Sequence, residues 1–273
     1  MKKGFLSLAM LFLIAITSFA EGRAKYVFYF IGDGMGVNQV NGTETYLAAL
    51  QGRIGVEPLL FTQFPAVGLV TTFSATNGVT DSAAAGTALS TGRKTKNSAL
   101  GMLADLQTPV TSVAVWAQQS GAAVGISTNV SVDHATPAAF YAHQPKRDLY
   151  YEIGKDLIKA DFDFYAGSDF RIPENKKDST ATGTLFERCE QAGYTIARSY
   201  KQFQKTSKQA KKFILLQPST PSNNDRTCLP YAIDRKPGDL TLQDITRASI
   251  SFLTQKRKEK DGFFLMVEGG KID

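Results

Sequence analysis

Four groups of polar residues could bind a metal ion or a phosphate group. They supply carboxylates, hydroxyls, one imidazole and one guanidinium, from Asp33, Asp81, Ser82, His134, Thr136, Arg147, Glu268 and Asp273. Carboxylates and hydroxyls are ligands of hard or borderline divalent cations. An arginine fork beside a bound metal is suited to hold phosphate oxygens. A serine at a helix N-terminus near a metal is a candidate nucleophile, which makes Ser82 the centre of this hypothesis.

Each group taken alone also has a simple structural explanation. The sequence Gly32-Asp33-Gly34 is typical of a turn. Asp81 before an Ala-rich segment is typical of a helix N-cap, and Thr136-Pro137 is typical of a helix start. A single histidine, His134 or His143, is more often a hydrogen-bonded structural residue than a ligand. The groups therefore indicate a functional site only if the fold brings them together.

Strand and helix patterns alternate along the chain, and several of the polar groups follow a predicted strand. The predicted strands are short β-branched and aromatic runs at 25–31, 66–73, 122–128, 162–166, 213–217 and 263–267. The predicted helices are 82–91, 113–119 and a segment that begins with a capping box at 241–244. This alternation predicts an α/β fold with a largely parallel central sheet and helices on both faces. The carboxyl edge of such a sheet is where functional groups gather.

Length and composition indicate an ordinary globular protein. The chain has 273 residues, of which 43% are hydrophobic and 21% are charged. It carries 31 Lys and Arg against 25 Asp and Glu, a net charge of +6. This charge is mild and dispersed, so we do not expect nucleic-acid binding. No internal boundary is evident, and we assign residues 21–273 to one domain.

The N-terminus has the pattern of a secretory signal peptide. Met1-Lys2-Lys3 is positively charged, residues 8–16 are apolar, and small residues precede Glu21. The apolar run is shorter than the roughly 20 residues that span a bilayer, so we expect no membrane anchor. We assign residues 1–20 to a signal peptide and predict a periplasmic or secreted protein. Because that compartment is oxidising, a structural disulfide between Cys189 and Cys228 is favoured over two free thiols.

At these polar groups the sequence resembles the alkaline phosphatases. The matching stretches occur in the family's order: FIGDGMG at 30–36, TDSAAAGTALSTGRKT at 80–95, HATPAAFYAH at 134–143 with Arg147 beyond it, LPYAIDR at 229–235 and VEGGKID at 267–273. The motif around Ser82 is highly specific. The resemblance implies hydrolysis of phosphate monoesters through a phosphoseryl intermediate, at a site with two zinc ions and usually one magnesium ion.

The resemblance also implies a role for each residue. Ser82 matches the nucleophile, which also lies against a zinc ion. Arg147 matches the residue that holds two phosphate oxygens, and Asp81 would orient it. The remaining metal ligands that match are Asp33, which bridges a zinc and the third metal, Thr136 and Glu268 at the third metal, and Asp273 at the other zinc.

His134 occupies a position near the third metal where some family members have Asp and others have His. Because His prefers zinc where Asp suits magnesium, the identity of the third ion stays open. Direct ligation by His134 is one interpretation, and an indirect role through a water or another ligand is favoured over it.

The family's remaining zinc ligands, several His and an Asp, lie beyond the motif at 267–273. Both histidines of this chain lie upstream, so the resemblance implies that most zinc ligands and the later strands and helices are missing. We therefore interpret the chain as the N-terminal part of a longer enzyme, with a fold that is incomplete at the C-terminus and no activity of its own.

Two other functions stay open. One is a related phosphodiesterase, sulfatase or phosphonate hydrolase, against which the serine motif and Arg147 argue. The other is an inactive chain that binds phosphate or metal weakly. A homodimer is expected only by analogy with the family.

Overall fold

The computed structural model describes residues 24–175, 183–218, 227–256 and 260–272, so the predicted signal peptide and Asp273 lie outside the described residues. The strands are β1 Tyr26–Gly32, β2 Ala123–Thr128, β3 Phe164–Gly167, β4 Tyr194–Ala197, β5 Lys212–Leu216 and β6 Phe263–Gly269. The helices are α1 Val37–Leu50, α2 Ser82–Thr91, α3 Val113–Gln119, α4 Ala135–Ala138, α5 Tyr150–Ala160, α6 Leu185–Gln191, α7 Tyr200–Thr206 and α8 Leu242–Gln255, with a 3-10 turn at Leu60–Gln63. None of these helices is long and apolar enough to cross a membrane.

The six strands form one sheet in the order β1-β6-β2-β3-β5-β4, and every neighbouring pair is parallel. Gly32 of β1 lies opposite Gly269 of β6, and Thr128 of β2 lies opposite Glu268. The carboxyl ends of these three strands are therefore level with one another. The predicted parallel α/β sheet is confirmed, and its carboxyl edge is the place where the polar groups meet.

Helices cover both faces of the sheet, because side chains alternate along each buried strand. In β6, Phe264 and Met266 belong to one buried cluster, whereas Phe263 and Leu265 belong to the other. Helices α2 to α6 contribute residues to the first cluster, and α7 and α8 contribute to the second. This arrangement also confirms the prediction of helices on both faces.

Helix α2 brings the serine motif close to the segment that carries Thr136. It begins after Asp81, whose Oδ1 accepts a hydrogen bond from the Ala84 amide over 3.0 Å. A Cβ atom at Gly86 would lie 3.0 Å from the Ala139 side chain and 3.4 Å from the Thr136 backbone. The small residues of α2 therefore allow this helix to pack directly on α4.

Residues 66–73 do not form the predicted strand. They form no regular secondary structure and pair with no strand in the described part of the chain. Their apolar side chains face solvent, with Val67 96% and Leu69 103% exposed. A strand needs a hydrogen-bonding partner as well as a β-branched pattern, and the pattern could not supply one.

The expected disulfide is also absent. Cys189 and Cys228 are both free and buried. Cys189 is a residue of α6 and belongs to the first buried cluster. Cys228 forms an antiparallel bridge with Val130, which follows β2. Burial raises the pKa of the Cys189 thiol to about 12, so this residue acts as a small core side chain.

Gly101 is a position where we expect a single methyl group to destabilise the fold. Its φ is +58°, and a Cβ atom there would lie 2.1 Å from the Ala142 carbonyl oxygen. Gly101→Ala should therefore lower the free energy of unfolding by about 2–4 kcal/mol, measured by urea denaturation. Gly92→Ala is the matched control, since Gly92 has φ +71° but nothing within 4 Å of the added carbon. Equal losses in the two variants would contradict the steric argument.

Candidate active site

Two carboxylates lie at the carboxyl edge of neighbouring strands. Asp33 directly follows β1, and its amide donates to the Gly269 carbonyl over 3.0 Å. Glu268 is the last residue but one of β6. The apolar runs of β1 and β6, which pair in register in one sheet, thus end side by side in acidic residues. The sequence prediction that these groups share an edge is confirmed for this pair.

Thr136 joins these carboxylates from helix α4. Its Oγ1 donates to Asp33 Oδ2 over 3.4 Å. The same hydroxyl also lies close to Glu268 and lowers the pKa of this carboxyl group. Three oxygen-bearing side chains from three separate elements therefore meet at one point.

Glu268 is a fully buried carboxyl group. Burial raises its pKa to about 7, and the nearby Asp33 charge adds to this rise. The Thr128 hydrogen bond, the nearby Thr136 hydroxyl and the positive charge of Arg147 act in the opposite direction and lower the pKa of Glu268. Glu268 Oε2 accepts a hydrogen bond from the Thr128 hydroxyl, whereas Oε1 has no hydrogen-bond partner among the described residues. A buried carboxylate oxygen without a partner is costly unless a cation or a proton occupies the position.

The turn after β6 leaves no room for a side chain beside Glu268. A Cβ atom at Gly270 would lie 2.9 Å from Glu268 Oε1 and 3.1 Å from Oε2. The Gly270 amide donates to Asn129 Oδ1 over 2.7 Å, which fixes this turn against the end of β2. The glycine therefore keeps the carboxylate open on the side of the turn.

The donor set fits one hard divalent cation. Asp33, Thr136 and Glu268 offer only oxygen atoms, which Mg²⁺ prefers, and Glu268 Oε1 is the atom that lacks a partner. Within the described ranges, no three His, Cys, Asp or Glu side chains form a metal-binding group by themselves. The Thr136 hydroxyl adds a third oxygen donor to the two carboxylates, whereas the described residues do not supply a complete ligand set for zinc.

Arg147 is bound to the start of helix α2. Its Nη1 lies 3.3 Å from Asp81 Oδ2, and the two side chains are 23% and 24% exposed. Asp81 is thus both the N-cap of the helix and the partner of the guanidinium, next to Ser82 at the first helical position. Because Arg147 also lowers the pKa of Glu268, the serine motif and the acidic group belong to one electrostatic environment.

His134 contacts the guanidinium. Its Nε2 lies 3.2 Å from Arg147 Nη2, and the residue is the N-cap of α4. Because a guanidinium can only donate, Nε2 of His134 must accept this hydrogen bond with the lone pair of a neutral imidazole. In this contact the guanidinium occupies Nε2 of His134.

Sequence analysis missed two side chains that hold these groups. Thr128 ends β2 and donates to Glu268, which is 140 residues away in the chain. Ser98 contacts both Asp81 and Arg147 from a loop after α2. A threonine at the carboxyl end of a predicted strand was a usable signal for Thr128, whereas no local pattern distinguishes Ser98.

Residues 24–273 match the alkaline phosphatase family. Alkaline phosphatase 3 of Bacillus subtilis is 33% identical over 99% of this chain and 60% of its own length. The human tissue-nonspecific alkaline phosphatase is 30% identical over 92% of this chain and 55% of its own length. This chain therefore spans about half to three fifths of the length of these curated relatives.

Solved structures agree with this match. The alkaline phosphatase of the Antarctic bacterium TAB5 aligns with a TM-score of 0.75 and 30% identity, covering 92% of this chain and 67% of that one. The Thermus thermophilus enzyme aligns with a TM-score of 0.75 and 28% identity, covering 91% and 50%. Two histidine variants of the TAB5 enzyme, His to Glu and His to Asp, contain Mg in a site called M3. On its sequence motifs, its parallel sheet and these relatives, the chain belongs to the alkaline phosphatase family of hydrolases.

Proposed function

We propose that the complete gene product hydrolyses phosphate monoesters, with Ser82 as the nucleophile. The observation that carries this proposal is the ion pair between Asp81 and Arg147, which brings the Arg147 guanidinium to the start of the helix that bears Ser82. A guanidinium fork suits two terminal oxygens of a phosphoryl group. The preference for a monoester over a diester rests on the family resemblance of the serine motif and of Arg147.

The proposed reaction has two steps. The Ser82 oxygen attacks phosphorus and loses its proton, while the bond from phosphorus to the alcohol oxygen breaks and the alcohol leaves with a proton. Water then attacks the phosphoserine, the bond from phosphorus to the Ser82 oxygen breaks, and inorganic phosphate leaves. Arg147 balances the negative charge of the phosphoryl oxygens in both steps, and Asp81 fixes its orientation.

Asp33, Thr136 and Glu268 would hold a magnesium ion beside this site. Such an ion supplies positive charge that stabilises the phosphoryl transfer. The family resemblance further implies two zinc ions, to which the described residues offer the Ser82 hydroxyl and the Asp33 carboxylate. We propose these zinc ions only for the complete protein, because the described residues lack a full zinc ligand set.

We further propose that the protein is exported to the periplasm or the medium. The support is the charged N-terminus followed by the apolar run of residues 8–16. Small phosphate monoesters are the proposed substrates, and a homodimer is proposed by analogy with the family alone.

Arg147→Ala tests the proposed function in the complete gene product. We expect kcat/KM on p-nitrophenyl phosphate to fall by about 10²-fold, because the phosphoryl group loses its charged partner. Wild-type protein should act much more slowly on bis(p-nitrophenyl) phosphate and p-nitrophenyl sulfate, and a chelator should abolish turnover. Arg53→Ala is the control, since Arg53 is exposed and pairs only with residues of its own loop. Faster turnover of the diester or the sulfate would assign the protein to a related hydrolase class.

A further inference from the structure

Ser98 has a backbone conformation that L-residues rarely adopt. Its φ is +78°, in the left-handed region where glycine is favoured. It is one of three non-glycine residues with positive φ in the described part of the chain. A serine in this conformation is maintained by its surroundings, and strained positions of this kind cluster at functional sites.

The contacts of Ser98 reach both members of the Asp81–Arg147 pair. Its amide donates to Asp81 Oδ2 over 3.0 Å, the same oxygen that accepts from Arg147 Nη1 over 3.3 Å. Its Oγ accepts a hydrogen bond from the Arg147 amide over 3.3 Å. One residue thus holds the carboxylate that orients the guanidinium and also the backbone from which the guanidinium extends.

The neighbouring backbone keeps Ser98 in place. Leu100 and Gln144 form an antiparallel bridge, with reciprocal hydrogen bonds of 2.9 and 3.0 Å between their backbones. The other oxygen of Asp81 is occupied by the Ala84 amide. Ser98 therefore connects two rigid parts, the start of α2 and the chain that leads to Arg147.

We infer that Ser98 is a positioning residue for phosphate recognition, which sets where the Arg147 guanidinium lies relative to Ser82. This inference rests on the proposed function of the Asp81–Arg147 pair. The Ser98 hydroxyl anchors the arginine at its backbone, and the Ser98 amide anchors it through Asp81. Removing the hydroxyl leaves the second anchor but frees the first, so the guanidinium binds phosphate oxygens less well.

Two substitutions separate this role from a role in folding. Ser98→Gly removes the hydroxyl and also relieves the backbone strain, so the variant should be at least as stable as wild type in thermal unfolding. Ser98→Ala removes the hydroxyl and keeps the strain. In both variants of the complete gene product we expect KM for p-nitrophenyl phosphate and the inhibition constant of inorganic phosphate to rise about three- to tenfold, the equivalent of one hydrogen bond. The value of kcat should change by less than about twofold.

Two further variants serve as controls. Leu106→Gly relieves a similar strain, at φ +58°, in a loop without contact to Arg147, and it should leave phosphate binding unchanged. Adding Ser98→Gly to Arg147→Ala should cause no additional loss of phosphate binding, because Ser98 acts through Arg147. Wild-type phosphate inhibition in Ser98→Gly, or an equal loss with and without Arg147, would overturn the inference.

Calorimetric titration with inorganic phosphate separates this inference from the proposed function. If wild-type protein binds phosphate without hydrolysing p-nitrophenyl phosphate, the proposed function fails. Weaker phosphate binding in the Ser98 variants would then still support the positioning role. If wild-type protein binds no phosphate at all, both the function and the role of Ser98 are overturned.

Discussion

Ser82→Ala should lower kcat/KM of the complete gene product on p-nitrophenyl phosphate by at least about 10³-fold. Ser82 is the first residue of α2, where the helix N-terminus favours negative charge on the serine oxygen. The substitution removes the only atom that would form the phosphoserine, while Asp81 still caps the helix and still holds Arg147. Phosphate should therefore remain a competitive inhibitor of the residual activity, and the helix should remain folded.

Ser90→Ala is the matched control on the same helix. Ser90 is buried, and its hydroxyl donates to the Ala139 carbonyl over 2.7 Å. Removing it should lower the free energy of unfolding by about 1 kcal/mol with little change in kcat, because this hydroxyl joins α2 to the chain after α4 and does no chemistry. Ser90→Ala should lose stability and keep turnover, whereas Ser82→Ala should keep stability and lose turnover. This contrast would separate a structural hydroxyl from a nucleophilic one. A Ser82→Ala variant with wild-type turnover would place the nucleophile elsewhere.

The packing of α2 explains why its sequence is so poor in large side chains. Gly86 allows the helix to approach α4, and a Cβ atom there would already lie 3.0 Å from Ala139. Helix α4 carries Thr136, which contacts Asp33 at the end of β1. The small residues of α2 therefore set the distance between the helix that carries Ser82 and the proposed magnesium ligands.

Several strands could be predicted because they are buried on both faces of the sheet. Strands β2, β5 and β6 consist of short runs of apolar residues that end near the predicted positions. The capping box at the start of α8 was also predicted correctly, with Asp244 accepting from the Thr241 amide over 3.0 Å. Strand β4 was missed because it is an edge strand that is only partly buried and has no continuous apolar run. Helix α1 was missed because only Ala48 of its residues is buried.

The sequence indicated which residues belong to the candidate site, but not which side chains hold them in place. Parallel strands that end in polar residues must bring those residues to one edge, which is how Asp33 and Glu268 were placed together. The supporting contacts join residues that are far apart in sequence, such as Ser98 and Arg147, which are 49 positions apart. These depend on backbone conformation and on the register of the sheet, and neither leaves a periodic signal in the sequence.

Without metal, above pH 7, the Glu268→Gln variant should be more stable than wild type. With magnesium, wild type should be the more stable of the two. In the metal-free protein, burial raises the pKa of Glu268 from 4.5 to about 7. The folded state then holds more protons than the unfolded state between these values, so wild-type stability falls as pH rises from about 4.5 to 7 and stays low above it. Glutamine keeps the shape without the charge, so above pH 7 the variant should be more stable than wild type by up to about 3 kcal/mol.

Magnesium should invert this order, because the Glu268 carboxylate is then a ligand rather than an uncompensated charge. Wild-type protein gains stability with the logarithm of the magnesium concentration, and Glu268→Gln should gain much less. Thermal unfolding at pH 8, with a chelator and with rising magnesium, measures both effects. Glu152→Gln is the control, since Glu152 lies at the surface in an ion pair with Lys155 and should respond to magnesium as wild type does. Equal stabilisation of Glu268→Gln and wild type would remove Glu268 from the magnesium site, because a buried carboxylate that binds the cation cannot be replaced by a neutral amide without loss of affinity.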